Sequence, residues 1–295
     1  MLLITGITGF SGNYFLMHLI DNNYKLPIRF TIRPGSDTSV LDSCDLNFEK
    51  ILCDLDDESA LDDAMFGIDE VFHIGSIFYS KKVVRSAIKN KANRIICVHT
   101  TGIYSKFKSA ADEYKKIELD IEKMIKDSES SIQLIYLRPT MIYGYMGDRN
   151  IAIFIKMVDK LRLFPLIDYG RNFLQPVNGK DLGKAYFQLL TKKNIKGGDY
   201  ILSGKNAISM FDIMRMTSNY LGKKTIFFNI PLNVSIFLAQ LFKFVSINKL
   251  DFVERVQRMS EDRSFSHTDA ARDFGYDPMP FSEGLRDEVK QYLNN

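Results

Sequence analysis

Along the first half of the chain, short apolar runs alternate with stretches whose apolar positions recur every three to four residues. Leu2, Leu3 and Ile4 form the first run, and a helical pattern over 13–20 follows it. Runs over 26–32, 48–53, 70–74, 94–99 and 132–137 read as further strands. Between them 59–65, 82–89 and 110–126 read as helices, the last with Tyr114, Ile117, Ile121 and Met124 at helical spacing. Such alternation implies βαβ units, right-handed crossovers and a doubly wound parallel sheet of the α/β class. Beyond Gly144 the pattern loosens. A helix over 151–161, a strand over 173–177, a helix over 180–190 and a strand over 200–202 are expected, then mostly helix to 281–292. The division expected is 1–144 plus 176–203 for the sheet domain, and 145–175 plus 204–295 for a smaller, mostly helical C-terminal lobe.

In such a sheet ligands bind at the carboxyl ends of the strands, near the switch in strand order. Each run here ends in small or polar residues: Gly6 and Gly9, Arg33, Asp54, Gly75, Thr100. The first of these is the most telling. Gly6, Gly9 and Gly12 stand between a strand and a helix, where glycines let backbone N–H groups approach a phosphate and the helix N-terminus adds partial positive charge.

Composition narrows the reading without sharpening it. With 45% apolar and 25% charged residues, the 295-residue chain is an ordinary globular protein of one large or two interleaved domains. Its 39 basic and 36 acidic residues leave a net charge of +3 with no polybasic run, so nucleic acid is excluded as a partner. Cys44, Cys53 and Cys97 read as reduced core thiols, four scattered histidines offer no metal spacing, and no leader pattern is visible, so the compartment expected is the cytoplasm. The apolar stretch 230–245 is too short to span a bilayer and carries Pro231, Asn233, Gln240 and Lys243, so no integral membrane segment is expected. Ile236, Leu238, Leu241 and Phe242 crowd one side of it. A packed helix is the first reading; a pocket wall, a dimer face or a membrane-surface contact are the others.

The motifs, taken in order, resemble the extended short-chain dehydrogenase/reductase family, the NAD(P)-dependent epimerase/dehydratase group with a Rossmann fold. The resemblance rests on Gly6-x-x-Gly9-x-x-Gly12, Asp54-Leu55, Val71 to Ser76, Thr100 to Tyr104, and Leu137-Arg138-Pro139-x-x-Ile142-Tyr143-Gly144. Gln175 to Val177 with Asp181-Leu182 extends it, as does Asp269 to Pro278, where Ala271 or Arg272 stands in for a common lysine. It implies a dinucleotide site in which Gly6, Thr8, Gly9, Phe10 and Gly12 hold the pyrophosphate. Asp54 and Leu55 would meet the adenine, and Gly75, Ser76 and Pro139 would lie beside the nicotinamide half. At the end of the second strand, where NAD enzymes usually place an acidic residue, this chain has Arg33 with Ser36 nearby. A guanidinium suits a 2′-phosphate, so NADP(H) is expected over NAD(H), with an arginine merely snorkelling at a strand end as the bland alternative.

Family chemistry uses a tyrosine, a lysine four residues later and a hydroxyl residue. Thr100 falls at the hydroxyl position, with Thr101 as fallback, and Tyr114 at the tyrosine position; residue 118, however, is Glu118. A tyrosine titrates near ~10 and needs a nearby positive charge to act as a base near neutrality, whereas a carboxylate one turn away on the same face would oppose ionisation. Lys115 points about 100° around the helix. The literal Y-x-x-x-K of Tyr104 and Lys108 falls in a loop and reads as chance, though Lys106 or Lys108 folding back would supply charge. Tyr114 also reads, more plainly, as a core residue, His73 as a structural hydrogen-bonder and Asp181 as a helix cap or pairing residue. Two functions compete. One is an NADP(H)-dependent epimerase, dehydratase or reductase acting on a hydroxyl or carbonyl of a small molecule, with a nucleotide-linked sugar as the class the resemblance suggests. The other is a non-catalytic NADP(H)-binding sensor or scaffold. A homodimer is left open, and a membrane-surface enzyme for lipophilic substrates is a third reading.

Overall fold

The computed structural model describes residues 1–107, 109–192, 195, 197–245 and 253–294. Six strands and the five helices between them build its frame. Strands β1 (Leu2–Thr5), β2 (Ile28–Ile32), β3 (Phe48–Leu52), β4 (Glu70–His73), β5 (Arg94–Val98) and β6 (Gln133–Pro139) fall where the apolar runs predicted them. The helices between them are α1 (Phe10–Asp21), a single turn α2 (Ser39–Asp42), α3 (Glu58–Met65), α4 (Ser80–Lys89) and α5 (Ala111–Asp127).

After two-residue β7 (Ile142–Tyr143) come α6 (Ile151–Lys160) and β8 (Leu163–Ile167). The strand expected over 173–177 is two short pieces, β9 (Phe173–Leu174) and β10 (Val177–Asn178), divided around Pro176. Helix α7 (Gly179–Thr191) and β11 (Gly198–Leu202) complete the large domain, and β12 (Ile208–Ser209), α8 (Met210–Tyr220), β13 (Ile226–Ile230) and α9 (Leu232–Val245) continue the lobe. Short α10 (Val253–Arg258), α11 (Thr268–Phe274) and α12 (Phe281–Leu293) end the chain.

Seven strands form one parallel sheet in the order β11-β6-β5-β4-β1-β2-β3, so the order reverses between β1 and β4. Successive side chains alternate between its faces: Leu2 and Ile4 enter the core under α1 and α7, whereas Leu3 enters the one under α3, α4 and α5. Both faces are covered, which is why these strands read as continuous apolar runs. Ala270, Phe274 and Tyr276, expected in the lobe, pack in the first of these cores. The lobe has its own core, built from α6, α8 and α12 with Tyr143, Phe164 and Leu174. It also contains a parallel pair absent from the sequence reading, β8 with β13, in which Leu163 faces Ile226 and Pro165 faces Phe228. Among the described residues no helix is long and apolar enough to cross a membrane.

Candidate active site

At the switch point the chain turns from β1 into α1 through Gly6, which adopts φ 77°. The Gly9 N–H bonds to the Gly6 carbonyl at 3.0 Å, closing the turn. A Cβ on Gly12 would stand 2.3 Å from the Gly6 carbonyl oxygen, and one on Gly6 would stand 2.9 Å from the Gly75 nitrogen. The three glycines therefore let helix start, turn and the end of β4 nest together. Helix α1 begins after Gly9 with no side-chain cap, so its first-turn N–H groups are presented outward. This is a fit to a pyrophosphate.

The neighbouring loop is held by His73. Its Nδ1 accepts from Thr5 Oγ1 at 2.6 Å and its Nε2–H donates to the Ser76 carbonyl at 3.2 Å. Burial drives its pKa down to about 3, so the ring is a neutral strut between β1 and the Gly75-Ser76 turn. Leu55, buried at the end of the segment after β3, lies against Gly75.

Beyond β2, Thr8, Arg33, Pro34, Gly35 and Ser36 line a recess of about 330 Å³. Asp37 lines it too, a carboxylate that the reading of Arg33 and Ser36 did not include; its Oδ1 accepts the Ser39 N–H at 3.0 Å.

A larger cleft of about 790 Å³ opens where β5 and β6 end. Thr100, Thr101, Tyr104 and Thr140 come to it from the sheet domain, and Asn150, Arg258, Arg263 and Phe265 from the lobe. The two candidate hydroxyls differ. Thr101 Oγ1 donates to the Pro139 carbonyl at 3.3 Å, whereas Thr100 Oγ1 accepts the Gly102 N–H at 3.0 Å, which leaves its own O–H to donate into the cleft. Tyr114, by contrast, is buried on the first turn of α5 among Ile77 and Ile103, with Phe78 against its ring, and does not line the cleft. Tyr104 does line it, half exposed, with Phe265 on one side and the Arg138 guanidinium 5.7 Å from its ring centre.

Glu118 is committed elsewhere. Its Oε1 accepts from His99 Nδ1 at 2.7 Å and Arg138 Nη1 at 2.6 Å, and its Oε2 from Arg138 Nη2 at 2.9 Å. Arg138 Nη2 reaches on to Asp199 at 3.0 Å, and His99 Nε2 accepts from Ser80 Oγ at 2.9 Å. Burial alone would raise the Glu118 carboxyl, but the bonds from His99 and Arg138 and the arginine's charge hold it below the usual range. Burial holds His99 down against the carboxylate's pull, so the ring is neutral and the clamp is an arginine–glutamate pair steadied by a histidine. Arg138 sits in the family-like LRP segment, yet nothing local in the sequence pairs it with Glu118. Among the rescue lysines, Lys115 bonds to Asp112, Lys106 lines the cleft, and Lys108 lies outside the described residues.

The lobe contributes two residues that the motifs do not flag. Arg258 and Arg263 both line the cleft with their Nε atoms buried and unpartnered. Burial, with Arg258 beside it, pulls Arg263 down to about 10. Two cations line one cleft, one of them stripped of water, and the carboxylates beside them, Glu261 and Asp262, accept from Ser105, Lys106 and Phe173; such a pair of arginines suits an anion. The segment carrying them is tied to the β5–α5 loop: Glu261 accepts from Ser105 Oγ and from the Lys106 N–H, each at 2.7 Å. Asp181 is not the cap of α7, which is Asn178; its carboxyl accepts the Met279 N–H at 3.1 Å and burial raises it to about 6.

A model of the NmrA-like family matches residues 1–271. Dihydroflavonol 4-reductase of Arabidopsis thaliana is 35% identical over 101 residues, 32% of this chain; the match spans 26% of the length of that curated relative. The crystal structure of gox2253 superposes with a TM-score of 0.76 at 18% identity, covering 99% of this chain and 98% of the other. UDP-glucuronic acid 4-epimerase from Bacillus cereus, solved with UDP-glucuronic acid and NAD, superposes with a TM-score of 0.71 at 18% identity, covering 99% of each chain.

Proposed function

Since the chain belongs to the NmrA-like family and has the extended short-chain dehydrogenase/reductase architecture, we propose that it is an NADP(H)-dependent oxidoreductase of the epimerase, dehydratase or reductase type, acting on a hydroxyl or carbonyl of a small molecule. The observation that carries this reading is the cleft: Thr100 stands at the sheet end of the space into which Arg258 and Arg263 face. That distribution suits a substrate with a reacting oxygen at one end and an anionic group at the other. A nucleotide-linked sugar has this form, and it is the class bound by the epimerase.

Gly6, Thr8, Gly9, Phe10 and Gly12 would hold the pyrophosphate, Arg33 with Ser36 the 2′-phosphate, Asp54 and Leu55 the adenine, and Gly75, Ser76 and Pro139 the nicotinamide half. When bound, the nicotinamide supplies or accepts hydride. Thr100 orients the substrate oxygen through its O–H, and the Tyr114 hydroxyl donates the proton that a reduced carbonyl oxygen takes up. A phenol followed four residues later by Glu118 rather than by lysine suits carbonyl reduction better than alcohol oxidation. Because Tyr104 lines the cleft and Tyr114 does not, Tyr104 is the competing donor. Nicotinamide absorbance with a panel of sugar nucleotides and small carbonyls separates them: Tyr114→Phe abolishes turnover in the first assignment and Tyr104→Phe in the second. Turnover surviving both substitutions overturns tyrosine catalysis.

The second reading is a non-catalytic NADP(H)-binding sensor or scaffold. It is favoured by Glu118, whose two oxygens are both spent on His99 and Arg138 where the family has its lysine. Tight cofactor binding with no turnover on any substrate would establish it. Cofactor choice is tested separately: Arg33→Ala should weaken NADP(H) at least about tenfold while leaving NAD(H) nearly unchanged. NAD binding equal to or tighter than NADP binding in the unaltered protein would refute the preference.

A further inference from the structure

Helix α9 is apolar on both faces. Its inward positions are the small residues Ser235 and Ala239, each 7% exposed, with the half-buried Leu232 and Ile236 beside them. Val234, Phe237, Leu238 and Leu241 point outward, between 46% and 63% exposed. At 100° per residue these four fall within an arc of about 100°, with Asn233 and Gln240 together along one side of it. A helix packed only against its own protein would place its large apolar side chains on the other face. Of the four residues grouped on one side from sequence, Leu238 and Leu241 lie in this exposed arc, Ile236 is half-buried, and the side chain of Phe242 lies outside the described residues. Through Pro231 the helix joins β13, where the exposure continues: Ile226 is 63% exposed, directly opposite Leu163 at 58%.

The edge beside that pair is basic. Arg162 immediately precedes Leu163, its carbonyl accepts the Ile226 N–H at 2.8 Å, and Lys160 and Lys224 stand exposed within three residues of the two strand starts; Lys223, also there, is paired with Asp159 at 2.9 Å. Apolar side chains bordered by cations match one surface above others, a bilayer interface carrying anionic headgroups. Self-association fits less well, because a two-fold contact through this edge would bring the same cations towards their own copies. At 14 residues, or roughly 21 Å, α9 is too short to cross a hydrocarbon core of about 30 Å, so it would lie in the interface plane.

We propose that α9 and the β8–β13 edge dock this protein on an anionic membrane surface. This goes beyond the catalytic reading and does not depend on it. The test is sedimentation of the full-length protein with vesicles of phosphatidylcholine alone and of phosphatidylcholine mixed with phosphatidylglycerol. Binding should be confined to the anionic vesicles and should weaken as salt is raised. Phe237→Asp with Leu241→Asp should lower the partition coefficient at least about tenfold, with the melting temperature unchanged because both residues face solvent. Arg162→Glu with Lys224→Glu should remove the preference for phosphatidylglycerol. Failure to bind either vesicle, or binding indifferent to the stripe substitutions, overturns the proposal. So does a dimer in light scattering that Phe237→Asp converts to monomer, since a second copy would then cover the face.

Discussion

Replacing Glu118 by lysine restores the family's four-residue tyrosine–lysine spacing on paper, and the structure predicts that it damages the protein instead. The new ammonium would meet the Arg138 guanidinium and the His99 N–H in a space that now holds one carboxylate accepting three hydrogen bonds. Glu118 is 6% exposed and Arg138 3%, so little water can re-solvate the arginine, and its remaining partner, Asp199, is half exposed. Breaking a buried pair by removing one partner costs about 3–5 kcal/mol, and placing a like charge there costs no less. For a chain of this size each kcal/mol moves the melting temperature by roughly 2–4 °C, so the drop should be at least about 6 °C. Glu118→Gln keeps the shape and one acceptor and should fall between the variant and the parent. Acid acts in the same direction: a carboxyl held below its unfolded value contributes stability above the unfolded pKa and loses it as pH falls through the folded one. The assay is thermal unfolding followed by circular dichroism at neutral pH, with turnover measured in parallel. A Glu118→Lys protein that melts within about 2 °C of the parent, or that gains turnover, refutes the clamp.

The glycine turn and the lobe make their own predictions. Gly12→Ala forces a Cβ to within 2.3 Å of the Gly6 carbonyl and should abolish NADP(H) binding by calorimetry. Glu288 is fully buried, accepts the Gly144 N–H at 3.0 Å and faces Asp148; burial first, and Asp148 second, lift it to about 9 from 4.5. Its folded form therefore keeps a proton that the unfolded chain gives up. Stability should be greatest below pH 4.5, as far as this group is concerned, and decline as pH rises towards 9. Glu288→Gln should flatten that decline in melting temperature between neutral and alkaline pH; a slope equal to the parent's would show that the pair holds no proton.

What the sequence determined by itself is what depends on neighbours in the chain. Apolar runs and helical periods report local burial, so β1 to β6 with α1, α3, α4 and α5, and the glycine turn, were legible; the single turn α2 and Asp37 in the recess beside Arg33 were not. Pairings across long stretches were not. Strands β8 and β13 lie some sixty residues apart, and their exposed faces give no alternation to read. The apolar character of α9 was visible but its sides were not: Ile236, grouped with Leu238 and Leu241 from sequence, is half-buried, and Val234 and Phe237 join the exposed arc instead. Glu118 shows the difference most clearly. Its position four residues after Tyr114 is local and marked it as a departure from the family. Its role is set by His99 from the end of β5, Arg138 from β6 and Asp199 from β11. A charge's partners are chosen by distance and desolvation in three dimensions, and only the folded sheet brings these four together.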